Sequence, residues 1–86
     1  MAYDLTIHRA AAKAIQRLPK AERDAVIAKL RRLANDPRTM PDVEKLTGQD
    51  AYRFRVGDWR VVYAVDHSLM VIAVAKVAHR SQVYRR

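Results

Sequence analysis

An α+β fold, with two N-terminal helices packed on an antiparallel sheet in the order β-α-α-β-β-β, is predicted by three features of the sequence. Apolar residues recur at helical spacing in two segments of the first half. Three segments of alternating apolar and polar residues fill the second half. The links between those three are two or three residues long, which makes both connections hairpins.

The elements follow in order. Residues Ala2 to Ile7 alternate Tyr3, Leu5 and Ile7 with Asp4 and Thr6, the pattern of a short strand. From Arg9 to Leu18, the positions of Ala11, Ile15 and Leu18 predict a helix, which Pro19 stops or restarts. A second helix is predicted from Lys20 to Asn35. Val26, Leu30, Leu33 and Ala34 form its apolar stripe, and Arg23, Lys29, Arg31 and Arg32 lie largely off it. Asp36 and Pro37 end it, because the residue before a proline is pushed out of the helical region. Residues Arg38 to Asp50 read as a loop with one turn of helix around Val43 to Leu46. Strands are then predicted at Ala51 to Val56, Trp59 to Val65 and Leu69 to Val77. With 86 residues there is room for one modest core, so residues 1–86 are expected to form a single domain.

Composition narrows the chemistry. Without cysteine there is neither a disulfide framework nor a thiol nucleophile. Histidines are scattered, no acidic pair falls at ligand-like spacing, and the two glycines cannot make a phosphate-cradling loop. No metal and no cofactor are therefore expected. The start of the chain lacks the apolar run of a secretory signal, and no stretch reaches the length of a membrane span. A cytoplasmic protein with no membrane contact is the expectation. Its net charge of +8 calls for a polyanionic partner. Residues 1–50 hold ten basic and seven acidic residues, whereas residues 51–86 hold seven basic residues against Asp58 and Asp66 alone. The second half is thus the electropositive one.

Its first hairpin is the sharpest local signal. A two-residue turn at Gly57-Asp58 sets Val56 opposite Trp59, Arg55 opposite Arg60, Phe54 opposite Val61 and Tyr52 opposite Tyr63. One face is then apolar, while Arg53, Arg55, Arg60 and Val62 point to the other side. Like charges directly opposed cost a strand pair roughly 0.2 to 1 kcal/mol. Unneutralised guanidinium groups on rigid strands suit bidentate phosphate binding, and the expectation is that they converge on one solvent-facing spot. The alternative is that Asp42 or Glu44 folds over and pairs with them. The tail VAKVAHRSQVYRR adds Lys76, His79, Arg80 and Tyr84. If the strand runs on to Arg80, Lys76 and Arg80 share one face and His79 takes the other. Phosphate binding and acid/base work by Arg, Lys, His and Tyr suit RNA cleavage, in which the 2′-hydroxyl is an internal nucleophile.

The segments KLTGQDAYRFRVGDWRVVYAV and VAHRSQVYRR resemble the RelE/ParE toxin superfamily, in particular its RelE-like branch. Members commonly show K-L-x-G, then Y-R-x-R-x-G-D-x-R-V-x-Y, then V-G-H-R-x-x-V-Y. The resemblance covers about half the chain at motif level and implies a RelE-like fold. It also implies the toxin of a type II toxin-antitoxin system, a ribosome-dependent mRNA endonuclease (mRNA interferase) that cuts in the A site without metal. Its partners would be mRNA, the ribosome and a cognate RelB-like antitoxin. By position, Arg53 and Arg55 would hold the mRNA backbone, Arg60 the scissile phosphate and Arg80 the leaving side, while Tyr84 would stack on or orient a base. Lys45, Lys76 and Arg85 would add RNA or ribosome contacts. Lysines stand in the best-studied members where this chain has Arg53 and Arg55, and Ala78 replaces a frequent glycine. Arginine is a poor general base, which leaves His79, Tyr84 or an arginine-bound water for that role. Two other readings stay open: a ParE-like inhibitor of DNA gyrase without nuclease activity, and a basic module that binds RNA or ribosomes without cutting.

Overall fold

The computed structural model describes residues 2–46 and 51–83. Strand β1 (Asp4–Ile7) leads into helices α1 (Arg9–Gln16) and α2 (Lys20–Asn35). Strands β2 (Glu44–Lys45), β3 (Ala51–Val56), β4 (Trp59–Asp66) and β5 (Val71–His79) follow, then a last turn of helix, α3 (Arg80–Val83). His8 caps α1 by accepting a hydrogen bond from the Ala10 N–H at 3.2 Å. Pro19 immediately precedes α2, and the backbone turns extended at Asp36, ahead of Pro37, where α2 ends.

The sheet has the order β1-β5-β4-β3-β2. Strands β2 to β5 form the expected antiparallel meander, and β1 joins the far side of β5 in parallel, so the sheet is mixed. The backbone of Tyr3 donates to the Ala34 carbonyl at 2.9 Å, which ties the start of β1 to the end of α2. Its phenol shares a 2.8 Å hydrogen bond with Nδ1 of His67 in the β4–β5 turn.

Register in the β3–β4 hairpin is the one the sequence predicts, Arg55 against Arg60 included. The face toward the helices carries Phe54, Val61, Tyr63, Ile72 and Val74, all buried. They meet Val26, Leu30, Leu33 and Ala34 of α2 and Ala11 and Ile15 of α1. Burial, with the neighbouring Tyr52 adding to it, pushes the Tyr63 phenol up to about 12.

β1 starts two residues later than the sequence reading, α1 ends two residues earlier and β4 ends one residue later, and two further differences change what a segment does. Residues Val43 to Leu46 are not a helical turn: Glu44 and Lys45 pair with Arg53 and Tyr52, and the Leu46 N–H bonds the Ala51 carbonyl at 2.9 Å. Asp42 takes a φ of 59°, a left-handed residue at the entry to this strand. An edge of β3 that would otherwise leave its polar backbone unpaired thereby gains a ladder. The last strand also runs later, from Val71 to His79 instead of Leu69 to Val77. Met70, with φ of 55°, belongs to the preceding turn, and Leu69 and Met70 are consequently exposed. Among the described residues, no helix is long and apolar enough to cross a membrane.

Gly57 has a φ of +57°, and a Cβ added there would meet nothing within 4 Å. Gly57→Ala should therefore cost only the backbone penalty of about 1 kcal/mol, whereas Phe54→Ala, at a site with no solvent exposure, should cost about 3 to 5 kcal/mol. Chemical denaturation of the two variants measures both.

Candidate functional site

Register sorts the charged side chains by face. Glu44, Arg53, Val62 and Lys76 form one row across β2, β3, β4 and β5; Arg55, Arg60 and Ala78 form the next row toward the β3–β4 turn. Both rows lie on the side of the sheet away from the apolar face. Strand spacing puts neighbours in a row about 5 Å apart and the rows about 7 Å apart. Arg53, Arg55, Arg60 and Lys76 are thus brought onto one face.

They do not form one solvent-facing cluster, and the difference lies in what each already touches. Arg53 donates to the Glu44 carboxylate in an ion pair, so the counter-charge comes from the strand alongside. This hydrogen bond holds the Glu44 carboxyl below its usual value, and the charges of Arg53 and, less strongly, Arg55 add to the effect. Arg60 is only 5% exposed, and its guanidinium donates to the carbonyls of Gly57 and Trp59, each at 3.1 Å. Its cross-strand partner Ala78 is buried as well, at the end of the sheet where α3 packs against β4 and β5. Arg80 stands at the start of α3, mostly exposed, with Nη1 3.7 Å from the Asp58 carboxylate and its backbone N–H on the Asp58 carbonyl at 2.7 Å. Arg55 is exposed, and its guanidinium makes no hydrogen bond or ion pair among the described residues.

Arg53 and Arg55 line an open groove of about 490 Å³ together with Asp42, Val43 and Glu44. Its chemistry is that of an anion site whose first occupant is an internal carboxylate. A phosphate entering it would meet the Arg55 fork directly and would compete with Glu44 for Arg53.

The other residues singled out by sequence divide as follows. Lys76 is exposed on the arginine face. Lys45, paired with Tyr52, projects to the opposite face at the sheet edge. Because the strand continues through His79, that side chain also lies opposite the arginines. It pairs with Trp59, packs edge-on against the indole at 5.3 Å, and its Nδ1 contacts the Ser81 hydroxyl at 3.0 Å and accepts from the Ser81 N–H at 3.3 Å. His79 thus caps the final turn of helix and stands away from the groove. Tyr84 and Arg85 lie outside the described residues.

Three participants were not singled out from sequence as parts of the site. Asp58 meets Arg80; Glu22 accepts from the Trp59 indole N–H; Lys29 donates to the Arg55 carbonyl at 2.8 Å. A signal existed for one of them, because an indole on an apolar sheet face needs an acceptor for its N–H.

Known proteins share this fold. The family model described as ParE toxin of type II toxin-antitoxin system, parDE, matches residues 5–84. The fold superposes on a chain of the archaeal RelE–RelB complex from Pyrococcus horikoshii OT3 with a TM-score of 0.83 and 37% identity, covering 95% of this chain and 99% of that one. Isolated E. coli RelE gives 0.79 and 31%, covering 96% and 92%. A chain of the intact E. coli RelBE toxin-antitoxin complex gives 0.78 and 28%, covering 91% and 96%. A family match over nearly the whole chain, together with the RelE-like sheet order and these neighbours, leads to one conclusion: the chain belongs to the RelE/ParE superfamily of type II toxin-antitoxin toxins, on its RelE-like branch.

Proposed function

We propose that this toxin is a ribosome-dependent mRNA endonuclease that cleaves message in the A site, using side chains and no metal, and that a RelB-like antitoxin holds it inactive. The observation that carries the reading is the opposition of Arg55 and Arg60 on paired strands, with Arg55 and Arg53 together lining an open groove. A pairing that destabilises the strands by itself becomes useful where a phosphodiester gathers negative charge.

In this reaction the 2′-hydroxyl gives up its proton to a base as its oxygen attacks the adjoining phosphorus, the bond to the 5′-oxygen breaks, and that leaving oxygen takes up a proton, giving a 2′,3′-cyclic phosphate and a 5′-hydroxyl. Arg55 binds a non-bridging phosphate oxygen, and Arg53 joins it on exchanging Glu44 for the RNA backbone. Arg60, largely withdrawn from water, supplies a fixed positive field from the opposite strand, where low solvent access strengthens its effect. Arg80 faces the leaving side, Tyr84 orients a base, and Lys76 and Arg85 add backbone contacts; these roles follow the family resemblance. Lys45, at the sheet edge, is assigned to the ribosome. His79 is given the structural task of capping the last helix, which leaves proton transfer to Tyr84 or to an arginine-bound water.

Solved neighbours that are RelE–RelB complexes support the antitoxin partner. The +8 charge makes an acidic or amphipathic segment the complementary surface.

Cleavage of ribosome-bound message, with mapped mRNA ends, tests the proposal against gyrase inhibition, which would give DNA damage without new mRNA ends. Arg55→Ala and Arg60→Ala should each reduce cleavage on the order of a hundredfold or more, with circular dichroism confirming the fold. A folded Arg60→Ala protein that cuts at the parent rate defeats the reading. Glu44→Gln should tighten binding to single-stranded RNA on the order of threefold by removing the exposed carboxylate charge that faces Arg53 in the groove; unchanged or weakened binding in a salt titration would remove Glu44 as a competitor.

A further inference from the structure

Helix α2 touches the arginine hairpin through two polar side chains, one on each strand. Lys29 Nζ donates to the Arg55 carbonyl on β3 at 2.8 Å, and its ammonium stands 5.6 Å from the centre of the Phe54 ring. Glu22 accepts from the indole N–H of Trp59, the residue before Arg60 on β4. Seven residues separate Glu22 from Lys29, two turns along one helix face. The contacts are not interchangeable with ordinary core packing. Among the described residues β2 pairs with β3 at Tyr52 and Arg53, and beyond Arg53 no described strand lies beside the outer edge of β3. At Arg55 the lysine takes the place of the missing strand by satisfying the carbonyl. Across the hairpin, the indole N–H would lack a good acceptor on an apolar face without the glutamate.

We propose that Lys29 and Glu22 are positioning residues for the anion site: they set the height and tilt of the β3–β4 hairpin on the helix, and through it the places of Arg55 and Arg60. This rests on the reading of Arg55 and Arg60 as phosphate-binding groups. Lys29 acts through the Arg55 backbone and Glu22 through the Trp59 ring; neither touches the RNA.

The test is a set of four full-chain variants in the ribosome-bound cleavage assay, reading the rate at saturation and the half-saturating concentration separately. Lys29→Met keeps the stem and removes the donor, and Lys29→Arg restores one. Glu22→Ala removes the acceptor, and Glu22→Gln retains one. Lys29→Met and Glu22→Ala should lower the saturated rate on the order of tenfold with half-saturation unchanged, and Lys29→Arg and Glu22→Gln should restore most of the rate. Parent-like rates in both Lys29→Met and Glu22→Ala overturn the proposal. So does a loss that the restoring variants share and that follows melting temperature, since that is the mark of a general structural role. Titration of inorganic phosphate against the Arg55 and Arg60 guanidinium NMR signals separates this idea from the nuclease reading. If the parent chain binds phosphate but does not cleave, the nuclease reading fails alone, and the positioning role then stands only if Lys29→Met and Glu22→Ala weaken that binding. A parent chain with no response at either arginine overturns both.

Discussion

Burial of Phe54, Val61 and Tyr63 against the two helices leaves the β3–β4 hairpin no freedom of register, because a slip of one residue would turn all three toward solvent. The arginines pay for that rigidity with their own orientation: once the apolar side chains face inward, Arg53, Arg55 and Arg60 have nowhere to go but the other face. Core packing and the anion site are therefore two sides of one alternation. Chemistry on the outer face is held in place by hydrophobic burial on the inner one.

Crowding cations in this way would destabilise the sheet if nothing answered them, and the structure answers most of them locally. Glu44 reaches Arg53 from the neighbouring strand, the turn carbonyls take up Arg60, and Asp58 approaches Arg80. Each of these partners is an oxygen, the same kind of atom a phosphodiester offers. On the proposed reading, RNA at Arg53 would exchange one oxygen ligand for another, with the exposed Glu44 carboxylate giving way. Arg60 differs, since its guanidinium is already desolvated and braced by the turn that it helps to shape. Arg55 is the group most open to an incoming phosphate.

Parallel addition of β1 to β5 closes the sheet on the side away from the arginines, and the Tyr3 contacts with Ala34 and His67 fasten that closure. At the opposite edge β2 is only two residues long, which leaves the distal part of β3 to be supported by α2. The asymmetry places a well-tied edge far from the site and a lightly tied one beside it. Short edge strands are a common way to keep a sheet from pairing with another chain.

Much of this was legible in the chain of amino acids. Period-two alternation across Tyr52 to Tyr63, interrupted by Gly57-Asp58, determined the hairpin, its register and the face of Arg53, Arg55 and Arg60, because side-chain direction in a strand is a local property. Helical spacing of Val26, Leu30, Leu33 and Ala34 likewise determined the buried side of α2. Partners were a different matter. Which carboxylate meets Arg53, how far Arg60 is withdrawn from water, and where β2 begins all depend on segments distant in sequence or on a left-handed residue such as Asp42, none of which leaves a periodic trace. His79 shows the division within one residue. Alternation stated that it would face away from Lys76 if the strand continued; only packing against Trp59 and the turn into α3 decided that the strand does continue. Local stereochemistry orients a side chain, whereas its exposure and its counter-charge arise from long-range packing, and those come into existence only when the chain has folded.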